Sequence, residues 1–230
     1  MEPVNHRAGF PRSMGGVCLR FSSVVKAVLF DFGGVILTSP FAAFNRYEDD
    51  AGLPRDTIRR LNTSRPDTNA WARLERGELD EDAFVTEFER EAAADGFVVD
   101  ARRVLEALRG DLRPEMVEAV RRCGARLLTA LLTNNHTPAG GGEHEPAVLE
   151  VLDLFDVVIE SSIVGVRKPE VAFYEIACRE LGVEPDECVF LDDLGVNLKP
   201  ARAMGMITIK VADPATALAT LEDVVGFPLT

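Results

Sequence analysis

The chain has 230 residues, 47% of them apolar and 27% charged, an ordinary composition for a globular protein with room for one sizeable domain and an insertion. Its formal net charge of −13 argues against attraction to nucleic acid or an anionic membrane, so any bound phosphate must be held by local groups. No apolar stretch approaches the roughly 18 uninterrupted residues of a membrane helix, and Cys18, Cys123, Cys178 and Cys188 lack CxxC spacing, which reads as buried free thiols in a reducing cytoplasm rather than a zinc site or disulfide framework.

Residues 1–24 carry Arg7, Arg12 and Arg20 against Glu2, with Pro3, Pro11 and a Gly15-Gly16 pair, and lack a continuous apolar core. They do not read as a secretory signal. A flexible extension, or an upstream start with Met14 as an internal alternative, is expected, with an organelle leader as the lesser reading.

The first strand is the apolar run Ala27-Val28-Leu29-Phe30, ending in Asp31 and followed by Phe32-Gly33-Gly34. A carboxylate at a strand end before two glycines belongs at the carboxyl edge of a sheet, where open α/β folds bind ligands and backbone can approach them closely. From Pro40 to Leu112 no convincing strand occurs. Ala83, Phe84 and Phe88, then Val104, Leu105 and Leu108, recur at helical spacing, with Gly52-Leu53-Pro54, Arg65-Pro66 and Asp95-Gly96 as punctuation. So much helix between two strands exceeds one crossover, and residues 39–113 are expected to form an inserted helical cap.

From Pro114 the pattern alternates. Helices are expected over Glu115 to Arg122, Val148 to Leu152, Pro169 to Leu181 and Ala201 to Met204, and strands over Leu127 to Thr133, Val157 to Ser161, Cys188 to Asp192 and Ile207 to Val211. Short apolar strands separated by helices imply a doubly wound α/β domain, a parallel sheet covered on both faces, built from residues 25–38 and 114–230. The Gly140-Gly141-Gly142 run lacks the Gly-Lys-Ser/Thr of a P-loop and reads as a flexible loop.

The polar strand ends, in order, are Asp31, Thr133 with Asn134, Lys168 in Arg167-Lys168-Pro169, and Asp192-Asp193 followed by Asn197. On these motifs the chain resembles the haloacid dehalogenase-like hydrolase superfamily, from about Lys26 to Val211. Asp31-Phe32-Gly33-Gly34-Val35-Ile36-Leu37 and Leu74-Glu75-Arg76-Gly77-Glu78-Leu79 resemble the group containing the phosphatase domain of soluble epoxide hydrolases and bacterial sugar-phosphate phosphatases. The resemblance implies a Rossmann-like core and phosphoryl transfer to an aspartate with magnesium, on a small phosphorylated metabolite. It makes Asp31 nucleophile and metal ligand, gives the Gly33 carbonyl to the metal, and makes Asp192 a direct or water-mediated ligand. Asp193 then supports that shell or orients Lys168.

The residue types fit this chemistry. Carboxylates of Asp31, Asp192 and Asp193 at one sheet edge would repel one another, and a hard divalent cation relieves that. Lys168, the Thr133 hydroxyl and Asn134 are expected to meet substrate phosphate. One departure matters: phosphatases of this superfamily mostly carry a second aspartate two residues after the nucleophile as general acid and base, and here that position is Gly33. Such help is typically worth about 10² to 10⁴ in rate. Glu75 is the residue singled out for a contact near the leaving group, against a solvated helix end with Trp71 packed on the cap core. His136 and His144 fit no metal template and read as surface loop. The alternatives are a phosphate-binding or partner-binding module that has lost efficient turnover and, less favoured by the intact acidic pair, a carbon–halogen hydrolase. Oligomeric state stays open.

Overall fold

The structure, a computed structural model, describes residues 24–135 and 146–229. The expected N-terminal extension, Cys18, the Gly140–Gly142 run, His136 and His144 lie outside the described residues. Strands β1 (Ala27–Phe30), β2 (Leu128–Thr133), β3 (Val157–Glu160), β4 (Cys188–Asp192) and β5 (Ile207–Lys210) form one five-stranded sheet in the order β3-β2-β1-β4-β5, with every pair parallel. The chain winds outward from β1 through β2 to β3, then returns to the far side of β1 for β4 and β5. The winding reverses at β1, and in open α/β sheets the crevice beyond the strand ends at such a reversal is the ligand site.

Alternation along the strands divides the core between the two faces. Val28, Phe30, Val189 and Leu191 point to one face, and Ala27, Leu29, Cys188 and Phe190 to the other. The first face is covered by α6 (Pro114–Gly124), α7 (Pro146–Leu152) and α11 (Pro214–Val225) through Met116, Val120, Val151 and Leu221. The second is covered by α9 (Val171–Leu181) and α10 (Gly195–Ala203) through Phe173, Tyr174, Leu198 and Ala201. All of β1 is inaccessible to solvent, and each fully buried Leu or Phe contributes about 1.5–3 kcal/mol.

Between β1 and β2 stand α1 (Phe41–Ala51), α2 (Thr57–Thr63), α3 (Ala70–Glu75), α4 (Glu81–Ala94) and α5 (Ala101–Glu106). They gather around a separate apolar cluster that includes Phe44, Leu61, Leu74, Phe84, Phe88 and Val104. Trp71 stands edge-on to Phe44 and Phe84, with ring centroids 6.2 and 5.6 Å away, geometry aromatic pairs favour. Asn69 starts α3: its Oδ1 accepts from the Ala72 amide at 2.8 Å while its Nδ2 donates to the carbonyls of Leu61, Asn62 and Ser64, so one side chain caps α3 and closes the end of α2.

The insertion leaves and rejoins the core along one seam. Leu37 bridges Leu112, the Thr38 amide donates to the Asp111 carbonyl, and the Arg113 amide donates to the Ile36 carbonyl. At its other end the insertion meets α8 (Ser161–Val164). A Cβ on Gly77 would lie 2.5 Å from the Ser162 carbonyl oxygen, so this close approach needs glycine, as does its φ of +70°.

Candidate active site

Parallel register carries the strand-end residues to one place. Phe30 pairs with Leu131 on one side and Leu191 on the other, and the Asp31 amide donates to the Leu191 carbonyl at 2.9 Å. Asp31 and Asp192 therefore emerge side by side, and Thr133 ends the strand on the other flank of β1. The turn after Asp31 is tight: the Val35 and Leu37 amides both donate to the Phe32 carbonyl. Gly34 has φ +84°, and a Cβ there would fall 2.3 Å from a carboxylate oxygen of Asp193. Its carbonyl accepts from Arg113 Nη1 at 2.8 Å.

Lys168 is the electrostatic centre of the cluster. It is 1% exposed, and its Nζ donates to Asp31 Oδ1 at 2.6 Å, the Leu132 carbonyl at 2.7 Å and Asp192 Oδ2 at 2.9 Å. All three protons are thereby committed. Burial pulls the ammonium toward losing its proton, but Asp192 and Asp31 outweigh that and hold its pKa above the ordinary lysine value. Asp192 is fully buried and equally engaged. Its Oδ1 accepts from the Leu194 amide at 2.7 Å, and Asn197 Nδ2 lies 3.1 and 3.0 Å from its two oxygens. Asn197 is itself fixed, its carbonyl accepting from the Tyr174 hydroxyl at 2.7 Å.

Asp31, Asp192 and Asp193 each place a carboxylate oxygen within 4.8 Å of the others. Burial raises the Asp31 carboxyl well above the usual range; Lys168 opposes this and the charges of Asp192 and Asp193 add to it. Asp193 is pushed up to about 6, by burial first and then by Asp192. One lysine does not neutralise such a cluster, and the surplus of hard oxygen donors around a small space matches what a divalent cation such as magnesium takes.

The four residues expected to bind substrate have distinct surroundings. Thr133 is 7% exposed at the end of β2. Lys168 faces its two aspartates. Asn134 forms a reciprocal pair with the Lys168 backbone, its Oδ1 accepting from the Lys168 amide at 2.8 Å and its Nδ2 donating to the Lys168 carbonyl at 2.9 Å. Glu75 is not a solvated helix end: its side chain is 14% exposed, its Oε1 accepts from Trp71 Nε1 at 2.9 Å, and its Oε2 accepts from Asn134 Nδ2 at 3.1 Å and from Arg167 Nε. Burial raises the Glu75 carboxyl, with Arg167 opposing. Two arginines escaped the sequence reading as site residues, Arg113 behind the Gly34 turn and Arg167 beneath Glu75. The only sequence signal for Arg167 was its place beside Lys168.

The profile of the haloacid dehalogenase-like hydrolase family matches residues 25–205. Mouse acyl-CoA dehydrogenase family member 10 is 35% identical over 98% of this chain, and pig bifunctional epoxide hydrolase 2 is 32% identical over 89%. This chain spans only 21% and 40% of those proteins. A sesquiterpene phosphatase of Aspergillus oryzae is 28% identical, with 87% of this chain and 97% of the relative aligned. Among solved structures, a family enzyme of Bacteroides thetaiotaomicron in complex with magnesium and inorganic phosphate superposes with a TM-score of 0.56 at 18% identity, covering 81% of this chain and 93% of that one. With its parallel sheet, inserted helices and strand-end aspartates, this chain belongs to the haloacid dehalogenase-like hydrolase family.

Proposed function

We propose that this hydrolase is a magnesium-dependent phosphomonoester hydrolase acting on a small phosphorylated metabolite through an aspartyl-phosphate. The observation that carries the reading is the Asp31, Asp192 and Asp193 cluster within 4.8 Å, closed from below by buried Lys168. The sesquiterpene phosphatase relative and the magnesium and phosphate in the Bacteroides structure support it.

Asp31, Asp193 and Asp192 would hold the cation, with the Gly33 carbonyl as a backbone donor. Asp192 already accepts from Leu194, Asn197 and Lys168, so the carboxylate with the most room to coordinate is that of Asp193, seated on Gly34. Bound there, magnesium supplies charge neutralisation and polarises the phosphoryl oxygens. Lys168 fixes Asp31 Oδ1 and leaves the other oxygen to attack phosphorus. The phosphorus bond to the leaving oxygen breaks as the Asp31 oxygen bond to phosphorus forms. Water then attacks the aspartyl-phosphate, releasing phosphate and restoring Asp31. Thr133, at the adjacent strand end, would donate its hydroxyl to the phosphoryl group.

At position 33 no acid stands ready to protonate the departing oxygen, so turnover should favour leaving groups that depart as stable anions, such as those of acyl or aryl phosphates. Phosphate release from a panel of sugar, nucleotide, aryl and acyl phosphates, with and without magnesium, tests this. Magnesium-dependent release with aryl and acyl phosphates leading is expected. A folded, magnesium-binding protein that releases none would favour the binding module.

A further inference from the structure

Glu75 sits where three parts of the molecule meet. Trp71 belongs to the inserted helices, Asn134 follows β2, and Arg167 precedes the site lysine. Arg167 also donates from Nη1 to the Pro66 carbonyl at 3.0 Å, so it grips the insertion at two points, one on α3 and one on the loop before it. Asn134 in turn holds the Lys168 amide and carbonyl. Between the insertion and the buried ammonium of Lys168 there are thus two short routes: the peptide unit from Arg167 to Lys168, and the Asn134 side chain. Nearby, Arg76 Nη1 lies 3.7 Å from Glu170 Oε1, a longer contact that adds to the same seam.

We propose that the Glu75–Arg167 pair, completed by Asn134, is a latch through which seating of the inserted helices positions Lys168 against Asp31 and Asp192. Glu75 is a positioning residue in this scheme and does not touch the reacting atoms. The physical reason is the absence of slack. Glu75 and Arg167 side chains are each 14% exposed, so the insertion and the core together hold both charges largely out of water. Lifting the insertion removes the Glu75 carboxylate that anchors Asn134 Nδ2, so the Asn134 side chain is free to swing away from the Lys168 amide it holds. The bonds from Glu75 to Arg167 and to Asn134 exist only while the insertion is seated, so seating and the placement of the Lys168 backbone are set together. The sequence places the two halves of the latch far apart, at 75 and 167, and only their docking joins them.

The role in catalysis rests on the phosphatase reading; the mechanical coupling does not, and the test separates the two. Hydrogen exchange is followed on the full chain with magnesium, for the wild type, Glu75→Gln, Arg167→Met and the double variant. Amides at 133–135 and 167–168, including the Lys168 amide held by Asn134, are expected to exchange about tenfold faster or more in each single variant, with no further increase in the double. Arg167→Lys, which keeps the charge and gives up the Pro66 contact, is expected to return the Lys168 amide toward wild-type protection; if Arg167→Met does not fold, Glu75→Gln set against Arg167→Lys decides the latch. In turnover, Glu75→Gln is expected to lower kcat while the thermal shift produced by magnesium stays at the wild-type value. Exchange that accelerates only over residues 65–78, with the Lys168 amide as protected as in the wild type, overturns the latch. Increases that add in the double variant overturn it too. If the wild type releases no phosphate, the phosphatase reading fails, and the exchange comparison still decides the latch.

Discussion

At Gly33 an added side chain finds room: a Cβ built there meets nothing within 4 Å. Gly33→Asp should therefore fold normally. It should raise turnover of alkyl phosphates by about tenfold or more while changing that of aryl phosphates less, because general acid help matters most for poor leaving groups; kcat on the two substrate types reads this directly. The neighbouring glycine behaves oppositely. Gly34→Ala must accept a left-handed backbone, at roughly 1–2 kcal/mol, and displace the Asp193 carboxylate; loss of the magnesium-induced thermal shift is its expected signature. For Asp193 the sign of the pH effect is fixed by its raised carboxyl. Between its ordinary value of 3.8 and about 6 the folded, metal-free protein binds more protons than the unfolded one, so stability falls as pH rises through that window. Thermal melts of metal-free wild type against Asp193→Asn should show the wild type losing ground from about pH 4 to about pH 6. The sequence marks Asp31 and Asp192 because each ends an apolar strand run, and Lys168 because it precedes Pro169; expected at a strand end, Lys168 instead lies in the loop between α8 and α9. It does not reveal that Asn134 and Glu75 are tied to Lys168 and Arg167, since those bonds exist only once the insertion docks.

The elements show why some signals read cleanly. Buried parallel strands leave continuous apolar runs, and β1, β2, β3, β4 and β5 all lie where those runs place them. Three core helices were less legible, among them the short α8, which begins at Ser161 where the strand was expected to end. The helix expected from Ala201 begins at Gly195, six residues earlier, with Pro200 inside it; an internal proline ordinarily marks a helix start or a break, and it masked the first turn. The final helix, α11, was not anticipated. Its signals were present in Asp213, which accepts from the Thr216 amide, in Pro214 at the first position and in Gly226 past the end. Within the insertion, Asn69 carries more than its polarity advertises. Asn69→Ala removes the cap of α3, worth about 1 kcal/mol, and strips the Asn69 donor from the half-buried carbonyls of Asn62 and Ser64, each costing up to about 1–3 kcal/mol if left unpaired, while the Leu61 carbonyl keeps the Ser64 hydroxyl. A loss of roughly 2–4 kcal/mol in denaturant unfolding is expected, appearing first in exchange of the inserted helices.

For the whole molecule, the decisive feature is convergence. The sheet order sets β4 against β1 although most of the chain lies between them, and this brings Asp192 beside Asp31. A cation bound to the folded cluster and not to the unfolded chain stabilises by mass action, about 2.7 kcal/mol at a hundredfold excess over its dissociation constant. Magnesium should raise the melting temperature of the wild type and leave Asp31→Asn nearly unmoved. Fold class and motif residues were legible from one sequence because they are encoded locally, in strand runs and their endings. Substrate preference is not encoded in those local runs.

The claim that Asp31 is the nucleophile is tested most directly by acid-quenching the enzyme during turnover of an aryl phosphate, with and without magnesium, and mapping phosphoryl groups by mass spectrometry. One hydroxylamine-labile phosphoryl group on the peptide containing Asp31, formed only with magnesium and absent from Asp31→Asn, is the expected result. Turnover of Asp31→Asn at the wild-type rate, or a phosphoryl group on any other residue, would contradict it.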